Sequence, residues 1–281
     1  MRQGFRKLTY QYEEPVYITK FKDYEQSTLE LLQKLNLKEH LKGQKKIIIK
    51  PNLVSCAPPP VTTDVGLVEA LCRYCLEHSD ARVIVAEGPA GCDAVESFEK
   101  LRFFERLKPL GIDLVDLDSE EEIVKLQNRN LPLFKEVLLP KIITDGFLIS
   151  AAVLKDHTFC TTTLSIKNLI GILPAKHYKG WWRFRKSKAH RHNIHQAAAD
   201  VATYRPINLA IIDGAIGLKK GHLFGGRPCS PPKNILVGSY DPLAADIEGA
   251  KILGHNFLKV KHLRCYFNNI KQNKAKVTAQ P

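Results

Sequence analysis

Lys155, His157, Thr161, Thr162, Thr163, Lys167 and Asn168 fall within seventeen residues, between Lys155 and Gly171. Ammonium groups bind anions and stabilise negative charge as it develops. An imidazole exchanges a proton near neutral pH, which makes His157 a candidate general acid or base. Hydroxyls and carboxamides orient a ligand. The segment follows the apolar run Phe147–Leu154 directly, so a strand would deliver these groups to one place. Its spacing matches no standard nucleotide or metal motif.

Polar residues also end the other short apolar runs. Lys46–Lys50 leads into Pro51 and Asn52, Arg82–Ala86 into Glu87, Ile207–Ile212 into Asp213-Gly214, and Ile235–Val237 towards Asp241. In a parallel α/β sheet the C-terminal strand ends face one crevice, where ligands bind. The expected substrate-binding set is therefore Lys50, Asn52, Thr162, Asn168, Lys176 and His177, and the expected catalytic set His157, Lys155, Lys167 and Asp213. The ligand class is a small carboxylated or phosphorylated anion, and the reaction class stays open. An alternative is a metal-dependent or redox accessory protein, with Glu87, Asp213 and Asp246, joined by Asp241 and His157, around a divalent ion. Plainer roles compete. Asp64 suits a helix cap, Asn52 and Asp213-Gly214 suit turns, and Asp246 suits an ion pair within a helix.

A second constellation, 176–195, interleaves Lys176, His177, Lys179, Arg183, Arg185, Lys186, Lys188 and Arg191 with Trp181 and Trp182. Such a stretch suits a lid over an anionic metabolite, or a nucleic-acid strand held by phosphate charge and stacking. His190, His192 and His195 lie in it without a zinc spacing. No Walker A sequence, dinucleotide fingerprint or nucleophile elbow is present. Cys72 and Cys75 form a lone C-x-x-C that reads as buried thiols on a helix. No cysteine run of the ferredoxin type exists, so no iron–sulfur cluster is expected.

The elements that must position these residues alternate. Helices are expected over 24–41, 65–78, 94–108, 164–172, 190–204 and 243–253, and strands over 46–50, 82–86, 112–116, 147–154, 207–212 and 235–237. A hairpin is expected within 119–145, and a Gly/Pro-rich loop over 214–233. This rhythm predicts an α/β fold, a mostly parallel sheet with helices on both faces, with two lobes flanking the site as a variant. The expected divisions are an N-terminal segment with one helix (1–44), the α/β domain (45–255) with a lid-like insertion at 174–195, and a C-terminal helix (256–281) with its last ten residues frayed.

The chain has 281 residues and a net charge of +13, which suits an anionic partner. It contains no apolar run long enough to span a bilayer, and residues 1–7 lack a secretory apolar core, so a cytoplasmic location is expected. If the protein self-associates, a homodimer is the expected form.

Taken in order, Ile49-Lys50-Pro51-Asn52-Leu53, Thr62-Thr63, Glu87-Gly88, Leu154-Lys155-x-His157, Thr162-Thr163-Leu-Ser-Ile-Lys167-Asn168-Leu-Ile-Gly171, Lys176-His177, Ile212-Asp213-Gly214 and Asp241-Pro242-Leu-Ala-Ala-Asp246 resemble the family called domain of unknown function 362. The resemblance spans roughly 45–255. It implies a cytoplasmic α/β domain with one polar site and no established reaction. Many family members carry an appended ferredoxin-like module whose cysteines this chain lacks. Two departures stand out: Glu87 replaces a common Asp, and Lys219, Lys220 and Arg227 make the 214–233 region basic, which suggests a more anionic ligand.

Overall fold

The computed structural model describes residues 10, 12–180, 186–223 and 225–277. Along the chain run β1 (Tyr17–Lys20), α1 (Tyr24–Lys34), α2 (Leu37–Leu41), β2 (Lys46–Pro51), α3 (Val65–His78), β3 (Arg82–Glu87), α4 (Ala94–Lys100), α5 (Phe103–Leu107) and β4 (Asp113–Asp116). The hairpin strands β5 (Ile123–Gln127) and β6 (Glu136–Pro140) follow, then β7 (Phe147–His157), β8 (Thr161–Thr162), α6 (Leu164–Asn168) and α7 (Ala175–Tyr178). The chain continues through α8 (Ser187–Tyr204), β9 (Leu209–Lys219), β10 (Arg227–Pro228), β11 (Ile235–Ser239), α9 (Pro242–Ile252) and α10 (Lys261–Val277).

The large sheet has the order β1-β11-β9-β7-β2-β3-β4, with β8 and β10 as short antiparallel additions to β7 and β9. Strands β9, β7, β2, β3 and β4 are mutually parallel. Alternate residues of one strand serve opposite faces. Ile47 and Ile49 enter an apolar layer with Leu31, Leu71 and Phe98, beneath α1–α5. Ile48 enters the other layer, with Ile166, Ala198, Ile247 and Leu263 from α6, α8, α9 and α10. Helices on both faces explain why β2 is a continuous apolar run: neither side meets water.

The structure departs from the expected elements for physical reasons. The helix expected over 24–41 breaks at Asn36 (φ 50°), and that over 94–108 breaks at Arg102 (φ 63°), both in the left-handed region. The 164–172 stretch is α-helical only to Asn168 and tightens to a 3₁₀ turn over Leu169–Ile172. The strand expected over 207–212 continues to Lys219, so Asp213-Gly214 lies mid-strand and pairs with β7 and β11 rather than forming a turn. Much of the region expected as a loop, 214–233, is instead the β9–β10 hairpin. The C-terminal helix reaches Val277, through six of the ten residues expected to fray.

One reversal changes the site. Strand β11 runs antiparallel to β9. Its C-terminal end, and with it Asp241, therefore lies at the opposite edge from the ends of β2, β3 and β7, and Asp241 does not join the crevice. Asp241 is instead the N-cap of α9: Leu243 and Ala244 N–H donate to Oδ1, and Tyr10 Oη donates to Oδ2 at 2.6 Å.

Candidate functional site

The C-terminal ends of β2, β3 and β7 meet in a buried hydrogen-bonded chain. Glu87, at the end of β3, receives Lys50 Nζ at 2.6 Å from the end of β2, together with Gly88 and Leu53 N–H. Lys50 also reaches Asn168 Oδ1 at 3.4 Å. Asn52 Nδ2 donates to the same Asn168 oxygen at 2.9 Å, while Asn52 Oδ1 accepts from Lys155 Nζ at 2.5 Å. Lys155 donates also to the Val61 carbonyl at 2.6 Å. Asn168 Nδ2 ties the whole to Ser150 Oγ and the Lys50 carbonyl. Lys50, Asn52, Glu87, Lys155 and Asn168, from five places in the chain, thus form one network, and all are buried.

The Glu87 end is neutralised. Lys50 and Glu87 are an ion pair with almost no exposed surface. Burial pulls the Lys50 pKa down, and Glu87 holds it up. Beside them Lys186 donates to Asp118 Oδ1 at 2.7 Å, to the Gly171 carbonyl, and to Leu173 O. The same Asp118 oxygen accepts Ala175 N–H at 2.7 Å. Gly171 is needed here: a Cβ at that position would stand 2.5 Å from Glu87 Oε1 and 2.6 Å from Lys50 Nζ.

The other end has no acid. Lys155 is fully buried among neutral acceptors, and burial, then the charge of Lys167, lowers its pKa to about 7. Lys167, on α6, is 7% exposed, with neither an ion pair nor a hydrogen bond among the described residues. Burial lowers its pKa as well. An ammonium in such a place is costly unless something outside the chain neutralises it.

Imidazoles surround this charge. The pKa values of His157, His190, His195, His222 and His262 all fall, first through burial, and in each case also through Lys167. His222 falls to about 3, His262 to about 3 and His190 to about 4. His157 stacks on His222 with ring centroids 3.6 Å apart. Its Nδ1 accepts from Phe159 and Cys160 N–H at 3.1 and 3.3 Å, which assigns the proton to Nε2. His157 is therefore a neutral donor through Nε2 in this structure; to act as a base it would first have to release those two amides. Both ring nitrogens of His190 and His262, and the hydroxyls of Thr162 and Thr163, are buried without a well-formed hydrogen bond among the described residues.

The loop carrying those hydroxyls is strained. Thr161 (φ 69°) and Leu164 (φ 49°) both adopt left-handed backbone, which is rare for a β-branched and for a bulky residue. Asp246 helps to hold it: its carboxylate, fully buried on α9, accepts Ser165 and Ile166 N–H at the start of α6. Strain of this kind clusters at ligand sites, where the surrounding structure fixes it.

The remaining expected residues lie elsewhere. Asp213 accepts from Tyr24 Oη at 2.9 Å and from Ala215 N–H, and burial raises its pKa to about 6. It forms no hydrogen bond with His157 or with a lysine among the described residues. Lys176 is exposed and donates to the Glu120 carbonyl, and His177 is half-buried. The metal set Glu87, Asp213 and Asp246 is not assembled: the three carboxylates bind Lys50, Tyr24 and the α6 amides respectively. Among the described residues no group of three His, Cys, Asp or Glu is arranged for a metal ion. Trp181, Trp182, Arg183 and Arg185 lie outside the described residues, as does the side chain of His192. Asp118, His222 and His262 were missed from sequence, and Lys186 was expected in a basic lid or nucleic-acid surface rather than as the buried partner of Asp118. Lys186 and Asp118 hide inside a basic and an acidic run, and the two histidines stand in no motif.

A family model described as Domain of unknown function (DUF362) matches residues 47–251. A thylakoid-associated protein of Synechocystis sp. is 24% identical over 218 residues, which are 76% of this chain and 64% of that protein. The structure of the lactate racemase apoprotein from Thermoanaerobacterium thermosaccharolyticum aligns with a TM-score of 0.53 at 14% identity, over 83% of this chain and 56% of that one. This last likeness is one of fold. The chain spans less than two thirds of the length of either protein. No described helix is long and apolar enough to cross a membrane.

Proposed function

The chain belongs to the domain of unknown function (DUF362) family, and on that premise we propose that it is an enzyme acting on a small carboxylated or phosphorylated substrate bound at Lys155 and Lys167. One observation carries this reading: Lys167 is a buried amine with no acidic partner and no hydrogen bond among the described residues, beside a second lysine that also lacks one. An anion supplies the missing charge. Thr162 and Thr163 offer it hydroxyls that have no hydrogen-bond partner among the described residues. Asn52 and Asn168 act as positioning residues, fixing Lys155 to the rigid Lys50–Glu87 pair. His157 donates from Nε2 to an oxygen on which negative charge develops, the arrangement of an oxyanion site. A cytoplasmic location belongs to the same proposal. It is supported by the lack of a disulfide among the described residues, which suits a reducing compartment.

Calorimetric titration with a panel of small carboxylates and phosphate esters tests the reading. At least one compound is expected to bind wild type and to lose ten-fold or more of its affinity in Lys167→Met. Equal binding by both proteins across the panel would sink it. His157→Leu, which removes the donor, separates binding from turnover: the ligand still binds while turnover falls, and His157→Gln, which keeps a donor at a similar reach, retains more of it.

A further inference from the structure

A second site lies on the far side of the imidazole cluster. Helix α8 breaks at Asn193 (φ −157°, ψ 94°), whose Oδ1 accepts His195 and Gln196 N–H and so starts a second helical segment. Beside this break, between α8, α9 and α10, is a cavity of about 400 Å³. That volume is in the range of organic-ligand pockets, roughly 300–1,000 Å³. Its apolar wall is Leu243, Ile247, Phe257, Leu258, Leu263 and Phe267. Its polar lining includes Asn193, His195, Lys261 and Arg264, and among the described residues no aspartate or glutamate lines it. Asp241, which Tyr10 of the lining contacts, has both oxygens engaged by Tyr10, Glu13 and the α9 amides. His195 Nδ1 is buried without a hydrogen-bond partner among the described residues, and the His195 ring faces His262 with centroids 6.4 Å apart.

Two requirements follow from this lining. An inorganic anion would satisfy the cations but leave the apolar wall in water. A neutral hydrocarbon would cover the wall and leave two cations and an imidazole with nothing to bind. We propose that the cavity binds an organic anion with an apolar body, a medium-chain or aromatic carboxylate, whose carboxylate meets Lys261, Arg264 and His195 while its body lies on Ile247, Phe257 and Phe267. None of Lys155, His157 or Lys167 lines this cavity, so the inference stands independently of the substrate site. His195, whose pKa is lowered by burial and by Lys261, Lys167 and Arg264, is the element the two sites share.

The test is calorimetric titration of the full chain with octanoate and, as an aromatic probe, 3-phenylpropanoate. Acetate (charge without body) and 1-octanol (body without charge) are the controls. One of the two amphipathic probes is expected to bind with a stoichiometry of one, at least ten-fold more tightly than either control. K261A/R264A, at two exposed positions where folding is not at stake, should reduce that affinity ten-fold or more while leaving octanol unchanged. Ile247→Trp, which fills the cavity, should abolish binding, and Lys167→Met should preserve it. Equal affinity for octanoate and octanol, insensitivity to K261A/R264A, or no binding by either probe would each overturn the proposal. Loss of binding in Lys167→Met with retention in Ile247→Trp would assign the ligand to the lysine site instead.

Discussion

Among the described residues four lysines are buried at the C-terminal edge of the sheet, and they divide into two pairs. Lys50 and Lys186 each face a carboxylate, Glu87 and Asp118, at 2.6 and 2.7 Å. Lys155 and Lys167 face none. The first pair has what a buried charge requires, a close counter-ion and further hydrogen bonds, and its role is to hold strand ends together. Lys155 is buried as deeply, and Lys167 nearly so, without that compensation among the described residues. A chain does not gain stability by burying an ammonium alone. The contrast separates the scaffold from the place where a ligand completes the structure, although all four residues look alike in sequence.

The largest effect should come from breaking the scaffold pair. Glu87→Gln leaves Lys50 buried and uncompensated, and we expect a loss of about 3–5 kcal/mol in urea unfolding. A loss below about 1 kcal/mol would show that Lys50 is already neutral and that the contrast is false. Gly171→Ala presses a methyl group onto the same pair and should cost about 1–3 kcal/mol, read as a lower midpoint at unchanged slope. Lys167→Met has the opposite sign. Removing an uncompensated charge without leaving a cavity should raise ligand-free stability by about 1 kcal/mol or more while destroying anion binding. Destabilisation by this change would mean that Lys167 has a structural partner after all.

The pH dependence sharpens the comparison. In the ligand-free protein the Lys155 pKa lies at about 7, below its ordinary 10.5. Between those values the unfolded chain binds more protons than the folded one, so this group makes stability rise with pH across the window. An anion favours the charged form and raises the pKa again, so binding takes up a proton. Affinity is therefore full below pH 7 and falls as pH rises above it. Titrations in two buffers of different ionisation enthalpy should reveal that uptake, and its absence in Lys155→Met would assign it. The smallest effect is expected for Thr162→Val. The hydroxyl has no partner among the described residues, so stability should stay within about 0.5 kcal/mol of wild type while ligand affinity falls several-fold.

Much of the site was legible because it sits at strand ends. Short apolar runs ending in Lys50, Glu87 and Lys155 specify a parallel sheet, and such a sheet delivers those ends to one edge. Asn52 and Asn168 followed from their position directly after, or close to, these residues. Strand direction was not legible. Nothing in Ile235–Ser239 distinguishes an antiparallel edge strand from a parallel one, so Asp241 was expected in a crevice that it faces away from. Asp213 was misplaced for a related reason: an Asp-Gly pair suits a turn, but here cross-strand pairing on both sides holds it inside β9. The Lys186–Asp118 pair joins residues 68 positions apart, a separation at which local pattern carries no information.

Asp118 gathers both Ala175 and Lys186 onto one oxygen. Ala175 and Lys186 are thus held at one point, much as a disulfide holds two points of a chain. Closure of a longer loop costs only about 0.6 kcal/mol for each doubling of length. Chain inserted between the two clasped residues would therefore cost the folded domain little, as long as the clasp and the buried Tyr178 are kept. The clasp thus marks a point beside the site where added chain could be grafted.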